Sequence, residues 1–190
     1  MEGKLEEPII ETISERLKRY AISEIADEAS DKVAGWTCFD APFRPNFDGS
    51  SFVVGQYFIF ALRIDKKNLP AKTVKKYCAI EEGKRLSESG REYLSRQEKE
   101  MIEDHVVNML MMRIPAVPNV YDLVWSYESS TVWFFTTLKA ANEELESLFM
   151  KSFKIPLVRL FPYTLADLEL GLSDSDRDVL HNLSAGNLLE

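Results

Sequence analysis

Hydrophobic positions change their period several times along the chain, and each period predicts an element. After Pro8, apolar residues recur on one helical face (Ile10, Ile13, Leu17, Tyr20 and Ala21), which predicts an amphipathic helix. A short apolar segment follows at 33–39, and a loop rich in Pro, Asn, Asp and Gly covers 42–50. Residues 52–64 are apolar on both alternating sides, which predicts a strand buried on two faces, with a bulge or bend at Gly55.

Two helices are predicted between residues 70 and 113. Pro70 suits the first position of a helix, and Gly90 breaks the pattern that follows it. Ser95 and Glu98 have the spacing of a capping box, which predicts the start of a second helix. Because a short polar connection separates the two, we expect an antiparallel helical hairpin.

A β-hairpin, a helix and a last strand are predicted after residue 115. Apolar and aromatic residues fill 121–127 and 131–136 around a short turn, which predicts two paired strands. Trp125 and Trp133 lie in this alternating pattern, so we expect both to be buried rather than free to stack on bases. Helical spacing covers 139–153, and 155–160 is predicted to be a strand.

This order of elements favours the α+β class, with a mixed or antiparallel sheet, packed helices and a protruding antiparallel helical hairpin. With 190 residues, 45% of them hydrophobic, the chain suits one domain with an appendage. We expect three parts: an α+β central domain at 1–69 and 114–163, a helical-hairpin tip at 70–113, and an acidic C-terminal tail at 164–190.

Charge is distributed unevenly along the chain. The chain carries 23 basic and 31 acidic residues, a net charge of −8, whereas residues 63–99 hold eleven basic and six acidic residues, or +5. In an acidic protein, contact with a polyanion must come from such a patch or from an assembled concave surface. The pattern fits either phosphate binding or the solvated face of an amphipathic helix. The candidate DNA-binding residues are Lys66, Lys67, Lys72, Lys75 and Lys76 at one strand-to-helix junction, with Lys84 and Arg85 as secondary candidates.

Metal and cofactor sites have little support in the sequence. Cys38 and Cys78 stand far apart without a CxxC pair, and His105 and His181 are the two histidines, so we expect no metal. Two buried or half-buried thiols in a reducing compartment are the expectation. No GxxxxGK[ST] or GxGxxG loop is present, and we expect no cofactor. A cytoplasmic location is expected, since neither a signal peptide nor an apolar run of about 18 residues is found.

Two further functions are compatible with parts of the sequence. Asp65, Glu82 and Lys84 have tolerable spacing for a metal-dependent exonuclease, but helix residues two apart diverge by about 200°, so we expect no catalytic site and no enzyme. The hairpin could instead be a protein-interaction module, with its methionines (109, 111 and 112) at the contact. Core filling at the end of a helix explains the same methionine cluster.

Several segments of the chain resemble one protein family. They are Gly35-Trp36, ALRIDKKNLPAKTVKK from Ala61 to Lys76, LSRQEKEMIEDHVV from Leu94 to Val107, and YDLVWSYESSTVWFFTTLKAANEELESLF from Tyr121 to Phe149. Together, over residues 9–162, they resemble the recombination-associated protein RdgC family. The charged junction that ends in Leu69-Pro70 and Val74-x-Lys76 is the most distinctive part of the resemblance.

The resemblance implies a function beyond what the residues alone indicate. RdgC proteins are dimers that close into a ring around DNA, bind it without sequence preference and restrain the RecA recombinase by competing for it. Some of them carry an exonuclease label. Their helical hairpin forms a tip that meets the partner's tip; here that hairpin would be 70–113, and the aromatic residue of the family's gate falls on Pro115.

We therefore expect a non-enzymatic, sequence-nonspecific DNA-binding protein of the RdgC type that modulates recombination or replication. The resemblance implies a homodimer associated with the nucleoid. Longer members of the family begin with a strand before the first helix and carry a large C-terminal half that helps to close the ring. The resemblance leaves ring closure open for this chain.

Overall fold

Runs of helices and runs of strands follow one another along the part of the chain that the structure describes. The computed structural model describes residues 5, 7–25 and 31–182. Their order confirms the predicted α+β class. The elements are α1 (Ile9–Arg19), β1 (Lys32–Thr37), β2 (Val53–Val54), β3 (Tyr57–Lys66), α2 (Ala71–Ser89), α3 (Arg96–Arg113), β4 (Val117–Ser126), β5 (Thr131–Phe134), α4 (Lys139–Phe153), α5 (Pro162–Leu170) and α6 (Asp174–His181).

The strands form one antiparallel sheet. Its order is β1-β3-β4-β5, and the short β2 pairs with the start of β3. β4 pairs along the whole of β3, from Tyr57 opposite Ser126 to Lys66 opposite Val117. Gly55, with a φ of 61°, turns the chain between β2 and β3, so the strand predicted at 52–64 is two strands.

One face of the sheet carries the main hydrophobic core. Phe58, Phe60 and Leu62 alternate along β3 and contribute to this core, which α1 and α4 cover. Aromatic rings meet there edge to face; the ring centroids of Trp125 and Phe149 are 4.9 Å apart. The helix predicted at 139–153 is confirmed as α4.

The Gly35-Trp36 pair holds the segment after α1 against the edge of the sheet. Trp36 is fully buried, and its Nε1 donates to Ser152 Oγ at 2.8 Å. Its backbone N–H donates to the Tyr20 carbonyl, and its carbonyl accepts from the Ile22 N–H, both at 2.9 Å. A Cβ at position 35 would lie 2.5 Å from Ile22 Cα, so this close approach requires glycine.

α2 and α3 pack against each other around a second hydrophobic cluster. Leu94, Ile102, Val106 and Leu110 are buried in it, with residues of α2 packed against them. The predicted capping box is confirmed, because the Ser95 hydroxyl accepts from the Glu98 N–H and the Glu98 carboxylate accepts from the Ser95 N–H. Gly90 ends α2 in the left-handed region, with a φ of 64°.

Three predictions about strand pairing and burial are wrong, because both depend on contacts with residues that are distant in the sequence. The strand predicted at 155–160 is absent, since Ile155 enters the core but no described strand pairs with this segment. Ile10 is 41% exposed, although the sequence predicts it on the apolar face of α1. Trp133 is 44% exposed, because β5 is an edge strand and Trp133 lies on the face of the sheet opposite the main core.

The predicted acidic tail contains α5 and α6. Leu165, Leu168 and Leu170 of α5 are all exposed, so this helix buries little apolar surface. The last residues of the tail, 183–190, lie outside the described residues. Neither these helices nor any other in the described part of the chain has the length and apolar character needed to cross a membrane.

Candidate nucleic-acid interface

Lysines surround the junction between β3 and α2. Residues 66–80 contain five lysines and no acidic residue. β3 ends at Lys66, and α2 begins at Ala71 after Pro70, which is the N-cap with φ −64° and ψ 127°. Proline suits this place because its ring fixes φ near that value and it has no N–H to satisfy. The junction therefore places three lysines in the first two turns of α2.

Six of the seven candidate DNA-binding side chains are exposed. Within the described residues none of the six forms an ion pair. Their charge is therefore available to an anion from solution. They are Lys66, Lys72, Lys75, Lys76, Lys84 and Arg85.

Cations farther along the hairpin are neutralised by acidic partners. Hydrogen bonds from Arg91 contribute most to lowering the pKa of Glu98, to about 2, so this carboxylate stays ionised next to the guanidinium. The positive charge of the 63–99 stretch is thus concentrated towards the junction. The neutralising pairs are Arg91 with Glu98, Arg96 with Glu100, and Lys99 with Glu82.

Lys67 is the exception among the candidates, because it is buried. Only 7% of its surface is exposed, and its Nζ donates to the Met111 carbonyl at 2.9 Å. That carbonyl belongs to the last turn of α3, where backbone acceptors lack partners within the helix. Lys67 therefore caps α3 and anchors the hairpin to β3, and we remove it from the phosphate-binding set.

Three lysines share one face at the start of α2. Lys72, Lys75 and Lys76 follow the spacing i, i+3 and i+4, which puts neighbouring Cβ atoms about 5–6 Å apart. Cations near a helix N-terminus oppose the helix dipole, so this placement costs stability. The N–H groups of Ala71 and Lys72 have no acceptor among the described residues. Free amides beside three ammonium groups form a surface that attracts anions.

Comparison with known proteins supports the resemblance that this junction carries. The sequence model of the family described as "Putative exonuclease, RdgC" matches residues 4–167 of the 190-residue chain. The chain belongs to the RdgC family. It is thus a member of a recombination-associated protein family. A comparison with curated proteins gives no match.

The exonuclease activity named in the RdgC family description has no support from the arrangement of Asp65 and Glu82. Asp65 is 4% exposed, and both of its carboxylate oxygens accept hydrogen bonds from Arg63. Glu82 lies on α2, where its carboxylate is 3.9 Å from the Lys99 ammonium. Across the described residues, no three His, Cys, Asp or Glu side chains form a group that could hold a metal ion.

Neither thiol of this RdgC-family chain is activated. Cys38 is buried and Cys78 is half-buried, as the sequence predicts. Burial raises the pKa of both thiols, and Glu103 and Glu82 raise that of Cys78 further. Because the thiolate is the nucleophilic form, a raised pKa disfavours covalent catalysis by either cysteine.

Lys84 and Arg85 form a weaker part of the surface than the junction does. Glu81 and Glu88 lie within one helical turn of both, so acidic groups reduce the local positive potential. The free amides at the start of α2 were missed by sequence reasoning. The sequence predicts Pro70 as the first helical residue, whereas the structure has it as the N-cap, where proline cannot cap these amides with a side chain.

Gly83 in the middle of α2 has no structural requirement for glycine. A Cβ there would have no atom within 4 Å. Gly83→Ala is expected to raise the free energy of unfolding by about 0.5–1 kcal/mol, because glycine costs that much in a helix interior. Urea denaturation measures the change, and the matched variant Ala79→Gly should lower stability by a similar amount. A destabilised Gly83→Ala variant would contradict the helical environment described for this residue.

Proposed function

We propose that this RdgC-family chain binds DNA without sequence preference. The contacts are Lys66, Lys72, Lys75 and Lys76, with Lys84 and Arg85 as weaker ones. The proposal is supported by the exposed, unpaired state of these cations in a protein of net charge −8. Phosphate contacts position a protein on DNA and release counterions, but they read no bases. A protein that occupies DNA in this way would modulate recombination or replication by competing with a recombinase, and would locate to the nucleoid.

Salt dependence tests this mode of binding directly. Each phosphate contact contributes about −0.9 to the slope of log K against log salt on duplex DNA. Four to six contacts predict a slope of about −3.6 to −5.4. Anisotropy titrations of two fluorescein-labelled duplexes of unrelated sequence, at about 50 to 200 mM salt, measure this slope. A slope near zero, or a large difference in affinity between the duplexes, would remove the proposal.

We propose that the chain acts on DNA without catalysis. The buried Arg63–Asp65 pair supports this, because its carboxylate is already engaged. A labelled duplex incubated with the protein and Mg²⁺ or Mn²⁺ should remain at full length. Degradation that disappears in Glu82→Gln would support the metal-dependent exonuclease instead.

We propose a homodimer in which the helical hairpin provides the contact. Apolar side chains left exposed on the hairpin support this, since they gain from burial against a partner. Sedimentation velocity at increasing protein concentration measures the association. Salt-tolerant binding to another protein without any DNA shift would favour the interaction-module alternative. The exposed apolar residues are Tyr77, Ile80, Tyr93, Met101 and Met112.

A further inference from the structure

A surface groove lies between the start of α1, the turn from β2 to β3, and the end of β4. Its volume is about 670 Å³, which falls within the range of roughly 300–1,000 Å³ that is common for ligand sites. Ile10 lines the groove and is 41% exposed, although its helix is strongly amphipathic. The apolar walls are formed by Pro8, Ile9, Ile10, Val53, Phe58 and Tyr127.

The described part of the groove rim is acidic and carries no compensating cation. Glu7, Glu11 and Glu128 line it, and all three are exposed. None of them forms an ion pair within the described residues. No described lysine, arginine or histidine lines the groove. Its charge is therefore complementary to a basic occupant.

The floor of the groove is held by the main core. The rings of Phe58 and Tyr127 lie with centroids 5.6 Å and 5.9 Å from that of Trp125. Trp125 is fully buried and packs in turn on Phe149 and Phe153. A cavity supported in this way is preformed, so binding loses little free energy to rearrangement of the protein.

We propose that this groove binds a basic segment of a partner protein. Apolar side chains of the segment would occupy the groove, and flanking lysines or arginines would face the glutamates. Three separate carboxylates can pair with more than one cation, and a peptide can present several cations beside its apolar side chains. The groove shares no residue with the lysine surface, so this proposal does not depend on DNA binding.

A fluorescein-labelled peptide that alternates lysine with leucine and phenylalanine is the probe. It should give saturable anisotropy with the whole protein. Replacing Glu7, Glu11 and Glu128 together by glutamine should weaken binding about tenfold, because three exposed charge pairs are lost. Ile10→Ser should weaken it as well. The triple variant Glu24→Gln, Glu88→Gln and Glu92→Gln removes the same charge away from the groove and should bind within about twofold of wild type.

Three results would overturn the proposal. One is the absence of binding at about millimolar peptide, and another is equal binding of a peptide with serine in place of the apolar residues. The third is equal binding of a peptide with glutamate in place of lysine. Glutamine at Lys72, Lys75 and Lys76 should leave peptide binding unchanged, so failure of the groove is distinguishable from failure of DNA binding.

Discussion

Replacement of Lys72, Lys75 and Lys76 together by glutamine should weaken binding to duplex DNA by roughly 10²–10³-fold at about 0.1 M salt. Each lost phosphate contact removes about 0.9 log units of affinity at that concentration, and three contacts are lost. The salt slope should become shallower by about 2.7. Stability should not fall, because the three side chains are exposed and form no ion pair, and their removal relieves the unfavourable interaction with the helix dipole. Anisotropy titration and urea denaturation measure the two effects.

The hairpin offers a matched control for this variant. Replacement of Arg91, Arg96 and Lys99 by glutamine removes the same net charge from the same 63–99 stretch. These three are neutralised by carboxylates, so their loss should change the affinity by much less. Equal weakening by both triple variants would mean that net charge, and not the junction, governs binding. An unchanged affinity in the lysine variant would contradict the proposed contacts.

The sequence predicts well those elements whose start, end or buried face is determined by residues close together in the chain. The capping box at the start of α3 depends only on Ser95 and on Glu98, three residues later. The end of α2 depends only on Gly90, because glycine readily adopts the positive φ found there. α4 has a clear apolar stripe over fifteen residues and was predicted with its observed bounds. In each case the information lies within a few turns of chain, so no knowledge of the fold is required.

Errors concentrate where burial depends on distant parts of the chain. Trp133 alternates in its strand as a buried residue would, but its side chain lies on the face of the sheet opposite the main core and is 44% exposed. Residues 155–160 have strand-like composition but find no partner strand among the described residues. A strand is completed by its neighbour's backbone, which a single sequence does not identify.

In the candidate interface too, features set by neighbouring residues are predicted from the sequence, whereas features set by distant contacts are not. The excess of lysines at 66–76 is visible in the sequence, and most of these lysines are exposed as a phosphate-binding surface requires. Lys66 and Lys67 are neighbours of the same type, yet one is exposed and the other is buried. Their difference arises from Met111, which lies 44 residues away from Lys67 in the chain. No pattern around position 67 contains that information.

Lys67→Met should lower the free energy of unfolding by about 1.5–3 kcal/mol, because a hydrogen bond from a charged donor is lost and the Met111 carbonyl is left without its partner. The lost cation also faced the negative end of the α3 dipole. For a chain of this size the change corresponds to a fall of about 2–4 °C in Tm per kcal/mol. Methionine keeps an unbranched side chain as far as the ε position, so the loss of stability reports mainly the missing ammonium group.

Lys66→Met is the matched control, because it removes the same charge from the adjacent, exposed position. It should leave stability within about 0.5 kcal/mol of wild type and make the salt slope of DNA binding shallower by about 0.9. Lys67→Met should show the reverse, a loss of stability with an unchanged salt slope in conditions where the variant is folded. A stable Lys67→Met protein with a shallower slope would mean that Lys67 leaves its place under α3 to contact phosphate. The pair of variants therefore distinguishes a lysine that stabilises the hairpin, Lys67, from a lysine that contacts phosphate, Lys66.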